Sequence, residues 1–269
     1  MTYKEKLAFS LSVASVTVGL LVAPFSLAAE NGVPLPNIAE RVKDLDKQLY
    51  TGKNALKVEP QDLAIMTKAA EDLAIALPNP GLKVGAKAPN FSLKNAHGET
   101  VKLRSVLRKG PVILVFYRGA WCPYCNLELH ALNESLPSFK KYGASLIAIT
   151  PQTPDKSLAQ LDKDGYPFEI LSDLEDKVMK AYKLYWEVSP ELDAAYKHSF
   201  GLDIAAYNGN GRRDLPVPGT FVIDKSGIVR AAFANTDYKK RMEPADILDA
   251  LQHLPQGKIA LATPAANTP

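Results

Sequence analysis

Seven successive residues, Pro111-Val112-Ile113-Leu114-Val115-Phe116-Tyr117, are almost wholly apolar. A strand of that composition is buried on both faces, which confines it to a sheet covered by helices on either side. It is followed by Trp121-Cys122-Pro123-Tyr124-Cys125 and then by Leu127, Leu129, Ala131, Leu132 and Leu136, which read as a helix. A second apolar run, residues 144–150, comes next. Strand, helix, strand in this order predicts a right-handed crossover between parallel strands. The two cysteines therefore stand where a buried strand ends and a helix begins.

That position favours thiol chemistry. Open α/β sheets carry their sites at the carboxyl ends of strands. A helix N-terminus offers unpaired N–H groups and partial positive charge, which lower the pKa of a thiol placed there. Pro123 suits a first helical turn, having no N–H to leave unpaired. A disulfide across two intervening residues closes too short a loop to stabilise much. The spacing is better explained by exchange, one sulfur attacking and the other resolving the product. Two inert buried cysteines are the bland alternative, and the strand-to-helix junction argues against them. By position alone Cys122, first at the helix terminus, is the more exposed sulfur and the nucleophile.

Cofactor chemistry finds no support. The chain has only these two cysteines, and its four histidines (His97, His130, His198, His253) are scattered, so a four-ligand zinc set is not expected. No glycine-rich phosphate loop is present. His130, five positions after Cys125, points away from that sulfur's helix face, and it and His198 read as surface or core residues. Tyr185 and Trp186 read as core or rim. The net charge of +3 is too small to suggest nucleic acid, and Lys140-Lys141 and Lys239-Lys240-Arg241 read as solvated faces.

The N-terminus reads as a leader. Lys4 and Lys6 precede an uncharged run from Leu7 to Ala29, and Ser26-Leu27-Ala28 supplies small residues at the two positions that direct cleavage. Residues 1–28 are thus expected to be a signal peptide, and the mature protein to be exported, periplasmic or secreted. The run is also long enough to span a bilayer, so a membrane contact follows if it stays uncleaved. Residues 29–80 form a helical extension: Ile38, Val42, Leu45 and Leu49 recur at helical spacing, and a second helix runs from Leu63 to Leu77. The main domain spans 81–255. It begins with a hairpin around Ala96-His97-Gly98-Glu99. After the crossover come a helix (Ser157 to Asp164), a strand (Phe168 to Leu171) and a helix from Asp173 to about Tyr185. A hairpin over 219–233 and a helix from Pro244 to Leu254 complete it. Residues 256–269, small and proline-bearing, are predicted to be disordered.

The stretch from Phe116 to Asn126, Phe-Tyr-Arg-Gly-Ala-Trp-Cys-Pro-Tyr-Cys-Asn, resembles the active-site segment of one branch of the thioredoxin superfamily. This is the peroxiredoxin-like (alkyl hydroperoxide reductase C/thiol-specific antioxidant) branch. Gly85 to Leu93 and Leu215 to Asp224 match it too, in the expected order, and the resemblance covers about residues 81–255. It implies a thioredoxin-like α/β fold, a mixed central sheet flanked by helices. It also implies hydroperoxide reduction through Cys122 and Cys125, with a sulfenic acid, then a disulfide that a thioredoxin-type donor reduces. Counting from Phe116 puts Cys125 in the peroxidatic place and Cys122 where the family carries Thr or Ser. Pro218 stands where the family has Arg, and resembles the cis-proline that faces the cysteines in thioredoxins. Arg118 is then either a substitute cation or a surface residue at a strand end, and Trp121 covers the thiols. Arg118, Trp121 and Pro218 are the expected substrate contacts. The same pair supports a second reading, a protein thiol–disulfide oxidoreductase acting on exported proteins, which needs no peroxide pocket. A redox-inactive binding domain is a third, and requires unreactive cysteines.

Overall fold

The computed structural model describes residues 34–53, 55–209 and 211–255. The expected leader over 1–28 and tail over 256–269 lie outside the described residues. The chain opens with α1 (Ile38–Tyr50) and α2 (Pro60–Ala76). The hairpin β1 (Ser92–Asn95) and β2 (Thr100–Lys102) follows, then the short α3 (Leu103–Leu107). The crossover comprises β3 (Val112–Phe116), α4 (Pro123–Lys140) and β4 (Ser145–Thr150). Next are α5 (Pro154–Asp164), β5 (Glu169–Ser172), α6 (Lys177–Ala181) and β6 (Tyr185–Glu187). Then come α7 (Pro190–Phe200), α8 (Ile204–Asn208), β7 (Asp214–Pro216), β8 (Gly219–Ile223), β9 (Val229–Ala234) and α9 (Pro244–Gln252).

Seven strands form one mixed sheet in the order β2-β1-β5-β4-β3-β8-β9. β3 is central, parallel to β4 and antiparallel to β8. Its side chains alternate between two cores, as a strand's period of two requires. Val112, Leu114 and Phe116 enter one, with α3, α6, Phe221 and Tyr182. Ile113 and Val115 enter the other, with α4 and α9. The ring of Phe116 meets Phe221 edge-on at 6.0 Å and Tyr182 at 5.0 Å, and is fully buried. Truncating it to Ala should cost about 3–5 kcal/mol. The expected mixed sheet between helical layers is what forms.

The extension packs as two separate satellites. Val42, Leu45 and Leu49 of α1 lie against the core that holds α4. The first N–H groups of α1, at Ile38 and Ala39, donate to the Glu243 carboxylate at 2.7 and 2.8 Å, satisfying donors that no helix can pair internally. α2 lies on α7 instead. Ile65, Met66 and Ala69 join Leu192 of α7 in a small third core, and buried Asp62 accepts from Ser199 Oγ (2.6 Å) and contacts His198 Nδ1 (2.7 Å).

Two expectations need correction. The helix expected from Asp173 to about Tyr185 spans only Lys177–Ala181: Asp176 at φ +59° precedes it, and Lys183 at φ +59° turns the chain into β6, which contains Tyr185 and Trp186. Asp173 does serve that helix: its carboxylate accepts from Val178 N–H and Met179 N–H at 3.0 and 2.8 Å. Within Lys239-Lys240-Arg241 only the lysines reach solvent. Arg241 is buried at 7% exposure beneath α4.

Candidate active site

The loop between β3 and α4 is held by side chains rather than by a ladder. Gln152 Oε1 accepts from Ala120 N–H at 2.9 Å, and Asn126 Nδ2 donates to Ala120 O at 2.7 Å. Gln160 links the two sides, donating to Asn126 Oδ1 and accepting from the Tyr117 hydroxyl. Gly119 adopts φ +151°, and a β-carbon there would stand 2.5 Å from Trp121 Nε1. Glycine therefore lets the indole fold back over the loop.

Cys122 is the N-cap of α4 and Pro123 its first helical residue. The Cys125 N–H donates to Cys122 Sγ at 3.4 Å, and the Cys125 thiol donates to the same sulfur at 2.6 Å. Both thiols are free. Burial disfavours charge on Cys122, but the Cys125 thiol and the guanidinium groups of Arg118 and Arg241 outweigh it, bringing its pKa down to about 6. Cys125 moves the other way, well above the usual thiol range, through burial and the hydrogen bond and charge of Cys122. Of the pair, Cys122 is thus the thiol that gives up its proton more readily and Cys125 the one that keeps it. The exposure expected for Cys122 is not found: it is 1% exposed and Cys125 0%. Cys122 belongs to the core beneath α4, with Trp121 packed against it.

The surroundings differ on the two sides. Near Cys122, Arg118 is buried at 5% exposure and caged by aromatic rings. Its guanidinium carbon lies 4.5 Å from the Tyr238 ring centroid, 4.8 Å from Trp121 and 5.9 Å from Tyr196. Its Nη2 donates to the Tyr196 hydroxyl at 3.3 Å. It has no carboxylate partner among the described residues. Of the two readings of Arg118, the surface residue is excluded by this burial, and its charge acts on Cys122. On the far side, Arg241 Nη2 contacts Cys125 Sγ at 3.4 Å, and its Nε donates to Glu128 at 2.6 Å. Glu128 also accepts from Thr220 Oγ1 at 3.2 Å. Burial, with the nearby Cys125, lifts the Glu128 carboxyl to about 7 against the pull of Arg241.

Cys122 also faces a cavity of about 880 Å³, whose lining does not include Cys125. Trp121, Trp186 and Pro218 line it near the sulfur, α7 contributes Leu192 and Tyr196, and α2 forms the opposite wall. The structure thus gathers Cys122, Arg118, Trp121 and Pro218 around one space. The expected cis bond at Pro218 is absent, since every described peptide bond is trans. The β6–β7 ladder and the Val217 N–H bond to Leu184 O (2.7 Å) deliver an extended chain straight into β8. Among the described residues no cluster of three or more His, Cys, Asp or Glu is placed to hold a metal.

Sequence reasoning passed over Glu128, Arg241, Tyr196 and Tyr238. Glu128 left a readable sign, an acidic residue three positions after Cys125 on the same helix face. Arg241 left none, being hidden in a run of charge.

Residues 84–232 match the AhpC/TSA family. The chain belongs to this family. Among curated relatives, peroxiredoxin Bcp of Bacillus subtilis (strain 168) is 33% identical over 146 residues, 54% of this chain and 81% of that one. Thiol-disulfide oxidoreductase ResA of Geobacillus kaustophilus (strain HTA426) is 29% identical over 161 residues, 60% of this chain and 74% of that one. Among solved structures, peroxidoxin BcpB from Mycobacterium tuberculosis superposes with a TM-score of 0.51 at 21% identity. That match covers 65% of this chain and 99% of the other, and supports the shared fold. The AhpC/TSA match excludes α1, α2 and α9, so one wall of the cavity comes from outside the family region.

Proposed function

We propose that this AhpC/TSA protein, an enzyme of thiol chemistry, reduces hydroperoxides, with Cys122 attacking and Cys125 resolving. One observation carries the reading: Cys122 combines a pKa of about 6 with 1% exposure at the floor of a concave site. A thiolate so recessed suits the narrow –OOH end of a hydroperoxide better than a disulfide on the surface of a folded protein. Arg118 is the cation that holds the thiolate and the oxygen charge developing beside it. Cys122 Sγ takes the distal oxygen of R–O–O–H, the O–O bond breaks, and the alkoxide leaves and gains a proton from water. Cys122 is then a sulfenic acid. Cys125 Sγ attacks it, the S–O bond breaks, and water leaves carrying the Cys125 proton. The two electrons lost by the thiols are those gained by the peroxide. A dithiol donor of the thioredoxin type restores the pair by exchange.

This reading reverses the roles implied by counting from Phe116, which put Cys125 in the peroxidatic place. Cys125 faces Arg241 and Glu128 and not the cavity. The test is peroxide consumption by the reduced protein beside reduction of insulin disulfides. Rapid consumption with little insulin reduction is expected. The reverse would favour a protein thiol–disulfide oxidoreductase, a reading supported by Cys122 at the N-cap with a second thiol one helical turn on. Export is part of the proposal, from the Ser26-Leu27-Ala28 end of the uncharged run. Intact mass of protein from its native host should lack residues 1–28; a mass retaining Met1 refutes cleavage.

A further inference from the structure

We propose that α2 is a selectivity wall, which makes this enzyme prefer hydroperoxides bearing a bulky apolar group over hydrogen peroxide. The inference rests on the peroxidase reading and concerns residues beyond the AhpC/TSA region. α2 is fixed from one side, where Asp62, Ile65 and Ala69 engage α7. Its other face is left facing the cavity: Leu63, Thr67, Ala70 and Ala74, spaced at i, i+4, i+7 and i+11, line it. Small residues at 70 and 74 keep the space open.

Size and surface both argue for an apolar occupant. A cavity of about 880 Å³ lies within the range of small-molecule sites, roughly 300–1,000 Å³. Hydrogen peroxide, little larger than a water molecule of about 30 Å³, would leave it almost unfilled. Tyr50, Leu56, Leu63 and Phe200 are 45%, 42%, 54% and 41% exposed, and all four line this space. Large apolar side chains gathered around a concavity mark a ligand groove. The sulfur at its floor identifies the ligand's reactive end. An apolar body fills the groove while the terminal –OOH reaches Cys122 beside Arg118. Lys239, at the rim, is already paired with Asp46 at 2.9 Å, so the body need carry no charge.

Both tryptophans of the chain, Trp121 and Trp186, line the groove, so intrinsic fluorescence reports its occupancy independently of turnover. The experiment uses the full reduced protein with dithiothreitol as donor. It compares wild type with Ala70→Phe, which fills the wall at a solvent-exposed helix position. Wild type should show a higher kcat/KM for cumene hydroperoxide than for hydrogen peroxide. Ala70→Phe should lower that ratio by about tenfold or more, the scale at which a pocket discriminates apolar bulk. The alcohol product, 2-phenyl-2-propanol, should change the wild-type fluorescence saturably and bind about tenfold more weakly to the variant. A ratio unmoved by Ala70→Phe, an equal loss on both peroxides, or no saturable fluorescence change overturns the inference and leaves the peroxidase reading standing. If reduced wild type consumes neither peroxide, the peroxidase reading falls and this one with it. If an apolar cystine peptide, not the alcohol, gives the Ala70-sensitive signal, the occupant is a peptide and the inference is wrong.

Discussion

The two cysteines are three residues apart, yet their settings have little in common. Cys122 meets an apolar groove and a cation held by aromatic rings and the Tyr196 hydroxyl. Cys125 meets a sealed polar knot of Arg241, Glu128 and Thr220. The lesson is that a CxxC pair is made unequal by what lies behind each sulfur as much as by helix position. The front sulfur is biased toward the thiolate and lies recessed at the wall of the groove. The rear sulfur keeps its proton and sits beside a carboxyl able to hold one near neutrality.

The sharpest way to break this comparison is to remove each sulfur in turn. Cys122→Ser should lower peroxide turnover by about a thousandfold or more, as loss of a nucleophile does. Cys125→Ser should still reduce one equivalent and leave a sulfenic acid at Cys122, detectable by dimedone adduct mass. A sulfenic acid at Cys125 in the Cys122→Ser protein, with full single-turnover rate, would invert the assignment.

A smaller effect is expected from the front cation. In wild type the peroxide reaction should rise with pH through about 6 and level off above it, because the thiolate is the reactive form. Arg118→Met removes an opposing charge, which is worth about 1–3 pKa units at such a site. The midpoint should move upward and the rate at neutral pH fall by about tenfold. Thiolate ultraviolet absorbance measures the midpoint directly; an unchanged value would make Arg118 a packing residue.

The rear side should show itself in stability more than in rate. Glu128 titrates near 7 in the folded chain against 4.5 as an ordinary glutamate. Between those values the folded state holds a proton that the unfolded state has lost, so this group makes stability fall as pH rises from 4.5 to 7. Cys122, depressed to about 6, acts in the opposite sense, adding stability as pH rises from there toward the ordinary thiol value. Glu128→Gln should therefore flatten the acid-side decline in urea midpoint of the reduced protein while changing single-turnover rate only a few-fold. A decline that persists in the variant would place the responsible group elsewhere.

How much of this was legible depended on sequence distance. The strand before the cysteines, the helix after them and the parallel partner β4 are local patterns, and all three form. The cation behind Cys125 comes from 116 residues away. In the sequence Arg241 is indistinguishable from its lysine neighbours, since burial of one residue in a charged run depends on tertiary packing. The recess of Cys122 was hidden for a similar reason. Helix position alone predicts an exposed sulfur, but Cys122 packs into the core beneath α4 with Trp121 against it. α7 did carry boundary signals, Ser189 at its N-cap, Pro190 at its first position and Gly201 after it, but its weak apolar face gave them nothing to frame. The cis bond at Pro218 was carried over from resemblance to thioredoxins, while the local chain, laddered to β6, runs extended.

The ring cage around Arg118 bears on the reduction potential of the pair. With the pair reduced, the buried site sets two guanidinium groups against one thiolate and a Glu128 carboxyl that is only partly ionised near neutrality. A disulfide carries no charge, so oxidation leaves Arg118 without an ionic counterpart in a poorly solvated place, and the balance shifts toward the reduced form. A carboxylate beside Arg118 would remove that imbalance but would also compete with the thiolate for the same cation. The faces of Trp121, Tyr196 and Tyr238 do neither: they hold the cation equally in both redox states and leave its full charge for sulfur.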